Sequence, residues 1–490
     1  MYHIPANYKI SFTDDPTLQR QYESDFSIKS NHNADRSTTN AILLLHWVPI
    51  DSRRRAFRTL QVFNLNFIPS LYQSSSRRSM GENVQNSPPL GPSDPVIIIG
   101  AGCTGLAIAQ GLNKAGIRTI IFEKNAGISI HGQRDWNMGF HWGMNALKTL
   151  IPESALSELQ SCQVDPHTPT KPLDTLSFLN GSTGDVMFAP EIPYFHRLRR
   201  SKLRALFTKD LDIRWNKRLK DIIFADDGKS TTCVFDDGQH ITGRLVIGTD
   251  GARSTVRRLL LGPEQSLNTR LPYAASFVQA KYTREQALHL RSFHPLFLAA
   301  PHPDDLFAFF GLQDAPDSEK PESWTFFFFI SWNSTIETQD AESKIFDNAA
   351  RLKQVREMAK GYAEPWKSAF EWLPEDQPVW YFGLTVWDPR EEAHRWDNRN
   401  GRVTLAGDSA HPMTYQRGQG LNHSITDAGN LVELLKTDAS QSSAIAKYEE
   451  EMVARAGEEV HLSVVNTTML HDWSKVLESP VFKKALTKQS

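Results

Sequence analysis

At 490 residues, with 40% hydrophobic and 22% charged side chains, the chain has the make-up of a globular protein large enough for two or three domains. A net charge of −2 argues against the concentrated basic surface that a nucleic acid or an anionic membrane requires, so no nucleic-acid partner is expected. Its three cysteines, Cys103, Cys162 and Cys233, have neither the number of a disulfide framework nor the spacing of a metal site; a reducing, cytoplasmic setting and no metal are expected.

Residues 1–94 are polar, rich in Ser, Asn and Arg, without sustained periodicity, and close on the breaker-rich NSPPLGPSDP. They are expected to form a disordered leader, with Met80 as an alternative translation start. The uncharged run 41–50 contains His46 and is about half the ~20 residues of a membrane span, so no transmembrane segment is expected. The sequence sets no oligomeric state.

The most informative stretch follows, VIIIGAGCTGLAIAQGLNKAGIRTIIFE at 96–123. An apolar run suited to a strand buried on both faces leads into Gly100, Gly102 and Gly105, which fill G-x-G-x-x-G ahead of a helix. The first glycine permits the tight turn, the second lets backbone N–H groups approach a pyrophosphate, and the third lets helix pack on strand. Glu123 ends the next strand, 123 − 100 = 23 residues after Gly100, near the spacing of an acid that binds an adenosine ribose hydroxyl. This is a dinucleotide site.

Further along, 154–160 is helical in pattern, 175–179 a strand, 200–211 an amphipathic helix, and 231–235 and 245–247 strands. From 273 to 387 the pattern changes to β-type runs, LFAFFGL at 306–312 and TFFFFISW at 325–332, with a helix at 341–361. Aromatic residues occupy both faces of 324–332, as a dry ligand pocket or a phenylalanine-rich core would require. A buried strand returns at 402–406, a helix opens near Leu421, and 444–470 forms a long helix.

Two further motifs stand in order after the glycine turn: LVIGTDG, ending in Asp250-Gly251, and LAGDSAHPMTYQRGQGLNH, carrying Gly407-Asp408, Gly418, Gly420 and Leu421. Together they resemble the class A, aromatic-hydroxylase-type FAD-dependent monooxygenases, and RDWNMGFHWG at 134–143 with QRGQGLNH resembles a fungal secondary-metabolism branch. The resemblance covers about 95–470. It implies an α/β fold: a Rossmann-like FAD-binding domain with a parallel sheet, an interleaved antiparallel β-sheet substrate domain and a C-terminal helix. The divisions expected are FAD-binding at 95–268 and 397–435, a mainly β substrate domain at 269–396, and a helical region at 436–490.

The resemblance also implies residue roles. Asp408 accepts hydrogen bonds from ribitol hydroxyls, and Gly407 belongs to the same turn. Gly418, Gly420 and Leu421 clamp the flavin pyrimidine edge with backbone N–H groups and a helix N-terminus. Arg200 contacts the cofactor, Arg134 lies near pyrophosphate or ribitol, and Asp250-Gly251 serves FAD and NAD(P)H. Arg253 and Arg257 neutralise cofactor phosphates or form a solvated basic turn, and His411 shapes its loop. A base that ionises a phenol or enol would help, with His294, His302 and Tyr381 as candidates. The implied activity uses NAD(P)H and O2 to hydroxylate or epoxidise a small hydrophobic, polyketide- or terpenoid-like metabolite through a flavin C4a-hydroperoxide. A flavin oxidase or dehydrogenase without oxygen transfer is the alternative; a flavin halogenase is disfavoured because no two tryptophans lie two apart.

Overall fold

Four consecutive β-branched residues, Val96–Ile99, bury side chains on both faces, so the strand needs neighbours on each edge and cover above and below. It pairs in parallel with Leu245–Gly248 and Thr119–Phe122, setting Ile98 opposite Ile247 and Ile121. Val403–Leu405 and Ile213–Arg214 extend the sheet, also in parallel. In chain order the five strands read 3-2-1-4-5, which opens a crevice at the carboxyl ends of the first and fourth. The helix Cys103–Lys114 connects the first two strands and packs against the helix Gly420–Thr437. This computed structural model describes residues 94–128 and 135–484; the expected leader and Arg134 lie outside the described residues.

The other large sheet has seven strands, in the order Trp380–Val386, Thr269–Ala280, Thr325–Asn333, Leu306–Asp314, Phe297–His302, Phe178–Leu179 and Val186–Phe188. It is antiparallel except where Phe178 pairs in parallel with Ala299. The last two strands come from before residue 269 in the chain. Alternation along 325–333 sends Phe326 and Phe328 to one face and Phe327 and Phe329 to the other. The face bearing Phe328 is covered by helices, with Phe328 edge-on to Phe370 at 4.9 Å. The face bearing Phe329 is turned toward a two-stranded ribbon, Asn137–Phe140 with His196–Arg199, and toward the loop carrying Tyr415.

Several expected elements differ in detail. The single helix at 341–361 is two, Ile336–Ile345 and Asn348–Ala359. Asp347 is extended between them, and its carboxylate accepts from the Ala350 N–H at 2.9 Å, which starts a new helix. The strand at 175–179 is split into Leu173–Thr175 and Phe178–Leu179, and the helix from Arg200 ends at Phe207. The long helix spans Gln441–Leu470. All three cysteines are buried and unbonded. Among the described residues no helix is long and apolar enough to cross a membrane.

Candidate functional site

The crevice begins at the glycine turn. Gly100 has φ +109°, and a Cβ there would stand 2.6 Å from the Thr249 carbonyl oxygen, so only glycine makes this turn. Thr249 Oγ1 donates to the carbonyls of Ile99 and Gly100, tying the ends of the first and fourth strands. Gly105 packs its helix onto the turn, and Gly102 is an N-cap that leaves the helix end without a side-chain partner. Glu123 is buried, with Oε2 accepting from the Ala101 N–H at 2.9 Å and Oε1 from the Asn125 N–H at 3.0 Å. Arg204, absent from the residues expected from sequence, donates from Nε to the Ala101 carbonyl at 2.8 Å. Its only signal was its place one helical turn after Arg200.

The strand Val403–Leu405 delivers Gly407-Asp408 beside that turn. The Gly407 N–H donates to Asp427 Oδ2 at 2.7 Å, and His411 Nε2 donates to the same oxygen at 2.6 Å. Arg455 donates to Asp427 Oδ1 at 2.7 Å and to Glu451 at 2.6 Å. Burial alone would raise the Asp427 carboxyl, but His411 and Arg455 hold it well below the usual range. Asp408 differs: among the described residues its carboxylate accepts no hydrogen bond. Desolvation raises it, opposed by the charges of His411 and Arg200. It borders a cavity of ≈150 Å³ lined also by Ala252, Phe382, Leu384, Pro412 and Tyr415.

The same loop ends at the helix Gly420–Thr437, whose N-cap Gln419 makes no side-chain cap. Gly418 is left-handed at φ +64°, and nothing lies within 4 Å of a Cβ built at Gly418 or Gly420. Leu421 is buried in the first turn. Asn422 Oδ1 accepts from the N–H groups of His141 and Gly143, and Trp142 Nε1 donates to Gln419 Oε1 at 2.8 Å. These bonds fasten the ribbon to the uncapped helix end.

Arg200 heads its helix with the guanidinium 4.4 Å from the Trp136 ring, and its charge acts on both Cys103 and Asp408. The glycine turn, Arg200 and the Gly-Asp turn therefore converge. Asp250 accepts from Ser254 Oγ and from the N–H groups of Thr255 and Val256, which occupies its carboxylate at a helix start, while Gly251 beside it has φ +83° and open space. Arg257 requires a correction. It is buried, donates to Ser266, Ser409, Ala252 and Asn268, and stacks on Trp387 at 4.7 Å, so it neither reaches a phosphate nor forms a solvated turn. Arg253 is exposed.

The candidate bases lie elsewhere. His294 Nδ1 accepts from the N–H groups of Leu296 and Phe297, and His302 bridges Gly361 and Asp304. Tyr381 points to the face opposite Phe382, with Arg351 3.4 Å over its ring. None of the three lines the cavity at Asp408.

A free carboxylate, two uncapped helix ends and glycines opening on empty space leave acceptors and N–H donors along one crevice, the fit an extended flavin dinucleotide requires. Comparison with known proteins agrees. Residues 202–463 match the family described as FAD binding domain, and 98–159 match the NAD(P)-binding Rossmann-like domain. The chain is 36% identical to the FAD-dependent monooxygenase cctM of Talaromyces islandicus over 81% of its length and 97% of that protein. It is also 36% identical to the FAD-dependent monooxygenase phnB of Penicillium herquei, over 80% of this chain and 95% of the relative. Among solved structures, Klebsiella pneumoniae HpxO complexed with FAD and uric acid shares the fold, with a TM-score of 0.60 and 18% identity over 80% of this chain and 92% of that one. With half of its length in the FAD-binding family and relatives matched nearly end to end, this chain belongs to the FAD-dependent monooxygenases.

Proposed function

We propose that the enzyme uses NAD(P)H and O2 to hydroxylate or epoxidise a small hydrophobic, polyketide- or terpenoid-like metabolite of secondary metabolism, in the cytoplasm. The observation that carries this reading is the uncommitted carboxylate of Asp408 beside a cavity lined by Phe382 and Tyr415. FAD, when bound, takes a hydride from NAD(P)H and supplies activated oxygen, of which one atom goes to an electron-rich substrate carbon and the other leaves as water.

The chain's own groups hold and orient. Glu123 keeps lone pairs for an adenosine ribose hydroxyl beyond the two N–H groups it already accepts. The helix end after Gly102 receives the pyrophosphate, flanked by Arg200, and the backbone at Asp250-Gly251 lies against the cofactor. Asp408 accepts from ribitol hydroxyls. Gly418, Gly420 and Leu421 turn N–H groups and a positive helix end toward the flavin pyrimidine edge, which stabilises negative charge there. Arg134 stays a proposed neighbour of the pyrophosphate or ribitol. The phenylalanine face excludes water from the reacting atoms. In this scheme 95–268 and 397–435 form the FAD-binding part, except that the strands Phe178–Leu179 and Val186–Phe188 join the sheet of the substrate part at 269–396, and 436–490 is a helical closure.

Labelled O2 tests the reading. With NAD(P)H and a turned-over substrate, label should enter the product. Peroxide formed with every substrate and no label incorporated would replace it with the oxidase alternative.

A further inference from the structure

The ribbon pairs Gly139 with Arg197 and Asn137 with Arg199. Residues directly opposite share a face, and Phe140 and Leu198 turn the other face into the core of the parallel sheet. Arg197 therefore points at the phenylalanine sheet, its guanidinium 4.7 Å from the Phe309 ring and 5.5 Å from Phe297. Phe309 stacks on Phe329 at 5.6 Å, Phe329 meets Tyr415 edge-on at 4.9 Å, and Tyr415 lines the cavity with Asp408.

Arg199, two residues on and on the same face, is paired with Asp135 at 2.8 Å and Asp314 at 2.5 Å. Arg197 has no such partner. Among the described residues its guanidinium makes no ion pair and no hydrogen bond, and its Nε is buried and unsatisfied. Burial lowers it to about 9, with no carboxylate near enough to oppose the shift, so it remains a cation at neutral pH. The buried Nε2 of His141 is also without a partner; the His141 ring lies 6.0 Å from Phe195, which in turn packs 5.1 Å from Phe297. A half-buried cation facing aromatic rings, with hydrogen-bonding capacity unused, is the arrangement expected where a ligand brings the counter-charge.

We propose that Arg197 anchors the substrate through an ionised oxygen: the molecule oxidised is planar and aromatic, and carries a phenolate, enolate or carboxylate that pairs with the guanidinium. The proposal rests on the monooxygenase reading and adds the charge of the substrate. A phenolate or enolate held there would also enrich its ring carbons in electron density, which electrophilic oxygen transfer favours.

The test uses the FAD-loaded enzyme and two probe pairs, 4-nitrophenol with 4-nitroanisole and 2-naphthoate with 2-naphthamide, followed by perturbation of the flavin spectrum. The wild type should bind at least one anion about tenfold or more tighter than its neutral partner. The nitrophenol pair reports a phenolate or enolate site and the naphthoate pair a carboxylate site. Arg197→Gln should abolish the preference and Arg197→Lys should keep part of it, both with FAD content unchanged. A wild type that prefers neither anion, or an Arg197→Gln variant that keeps the preference, overturns the proposal. If Arg197→Gln loses its flavin, the wild-type preference and its weakening in Arg197→Lys decide. Labelled-oxygen transfer is read separately, so an enzyme that transfers oxygen without anion preference sinks this inference alone.

Discussion

At the carboxyl edge of the parallel sheet, the groups that fasten the turns are bonded, Thr249 to two carbonyls, Arg257 to four acceptors, and Asp427 to Gly407, His411 and Arg455, although His411 Nδ1 is buried without a partner. Across the crevice, on the ribbon and the phenylalanine sheet, Arg197 and His141 keep buried nitrogens with no partner. The first region fixes backbone ends for a ligand that is always the same. The other leaves polar capacity open, at a cost in stability, for a ligand that must be selected.

Acid should have the largest effect, and it reaches both regions, since burial and Arg455 also hold His423, at the start of the helix Gly420–Thr437, well below its ordinary value. His141, His196, His294 and His471, all on or against the phenylalanine sheet and its ribbon, are lowered by burial to about 4. The unfolded chain protonates these rings near 6.5 while the folded chain keeps them neutral, so the unfolded state binds more protons in that window and stability falls as pH drops from 6.5 to 4. Denaturant unfolding at a series of pH values should show net proton uptake on unfolding across this window. Flat stability there would overturn the expectation.

Next in size is Asp427→Ala, which strands the buried His411 and removes one of the two carboxylate partners of Arg455. A loss of roughly 3–5 kcal/mol is expected for removing one partner of such a network, read as a lower thermal midpoint with weakened FAD retention. Asp408→Ala should leave stability nearly unchanged and weaken FAD binding by roughly 1.5–3 kcal/mol, the worth of hydrogen bonds to a charged group. Arg253→Ala, on an exposed side chain, should not; titration of the apo-protein with FAD separates the two, and equal dissociation constants would remove the role given to the Gly-Asp turn. The smallest effect belongs to Gly418→Ala, whose left-handed backbone costs a non-glycine residue roughly 1–2 kcal/mol in a loop with open space around it. A matching drop in FAD affinity is expected, with thermal stability changed less.

How much of this was legible in the sequence follows from the same contrast. Gly100, Gly105 and the order of the three motifs are dictated by close approach of backbones, which leaves a local signature of glycines after buried strands. Asp427 left none, because its partners stand 20, 16 and 28 residues away and meet only in the fold. Arg257 has the sequence setting of a basic turn, since the Trp387 ring and the carbonyls that enclose it belong to distant strands and loops. The significance of Arg197 is a missing carboxylate, and no pattern of residues announces an absence. Asp347 could have been read as a helix start, yet the apolar spacing across it runs on unbroken.

The chain order of the parallel sheet sets a schedule for synthesis. Leu245–Gly248 is made long before its outer neighbour Val403–Leu405, and all the long strands of the phenylalanine sheet are translated in between. A nascent chain therefore carries an unpaired inner strand edge while the intervening sheet folds, and the turn bearing Asp408 follows it, with the clasp completed only when Arg455 is made. Ribosome-bound chains ending before residue 403 would lack the Gly-Asp turn and leave that inner edge open to edge-to-edge association.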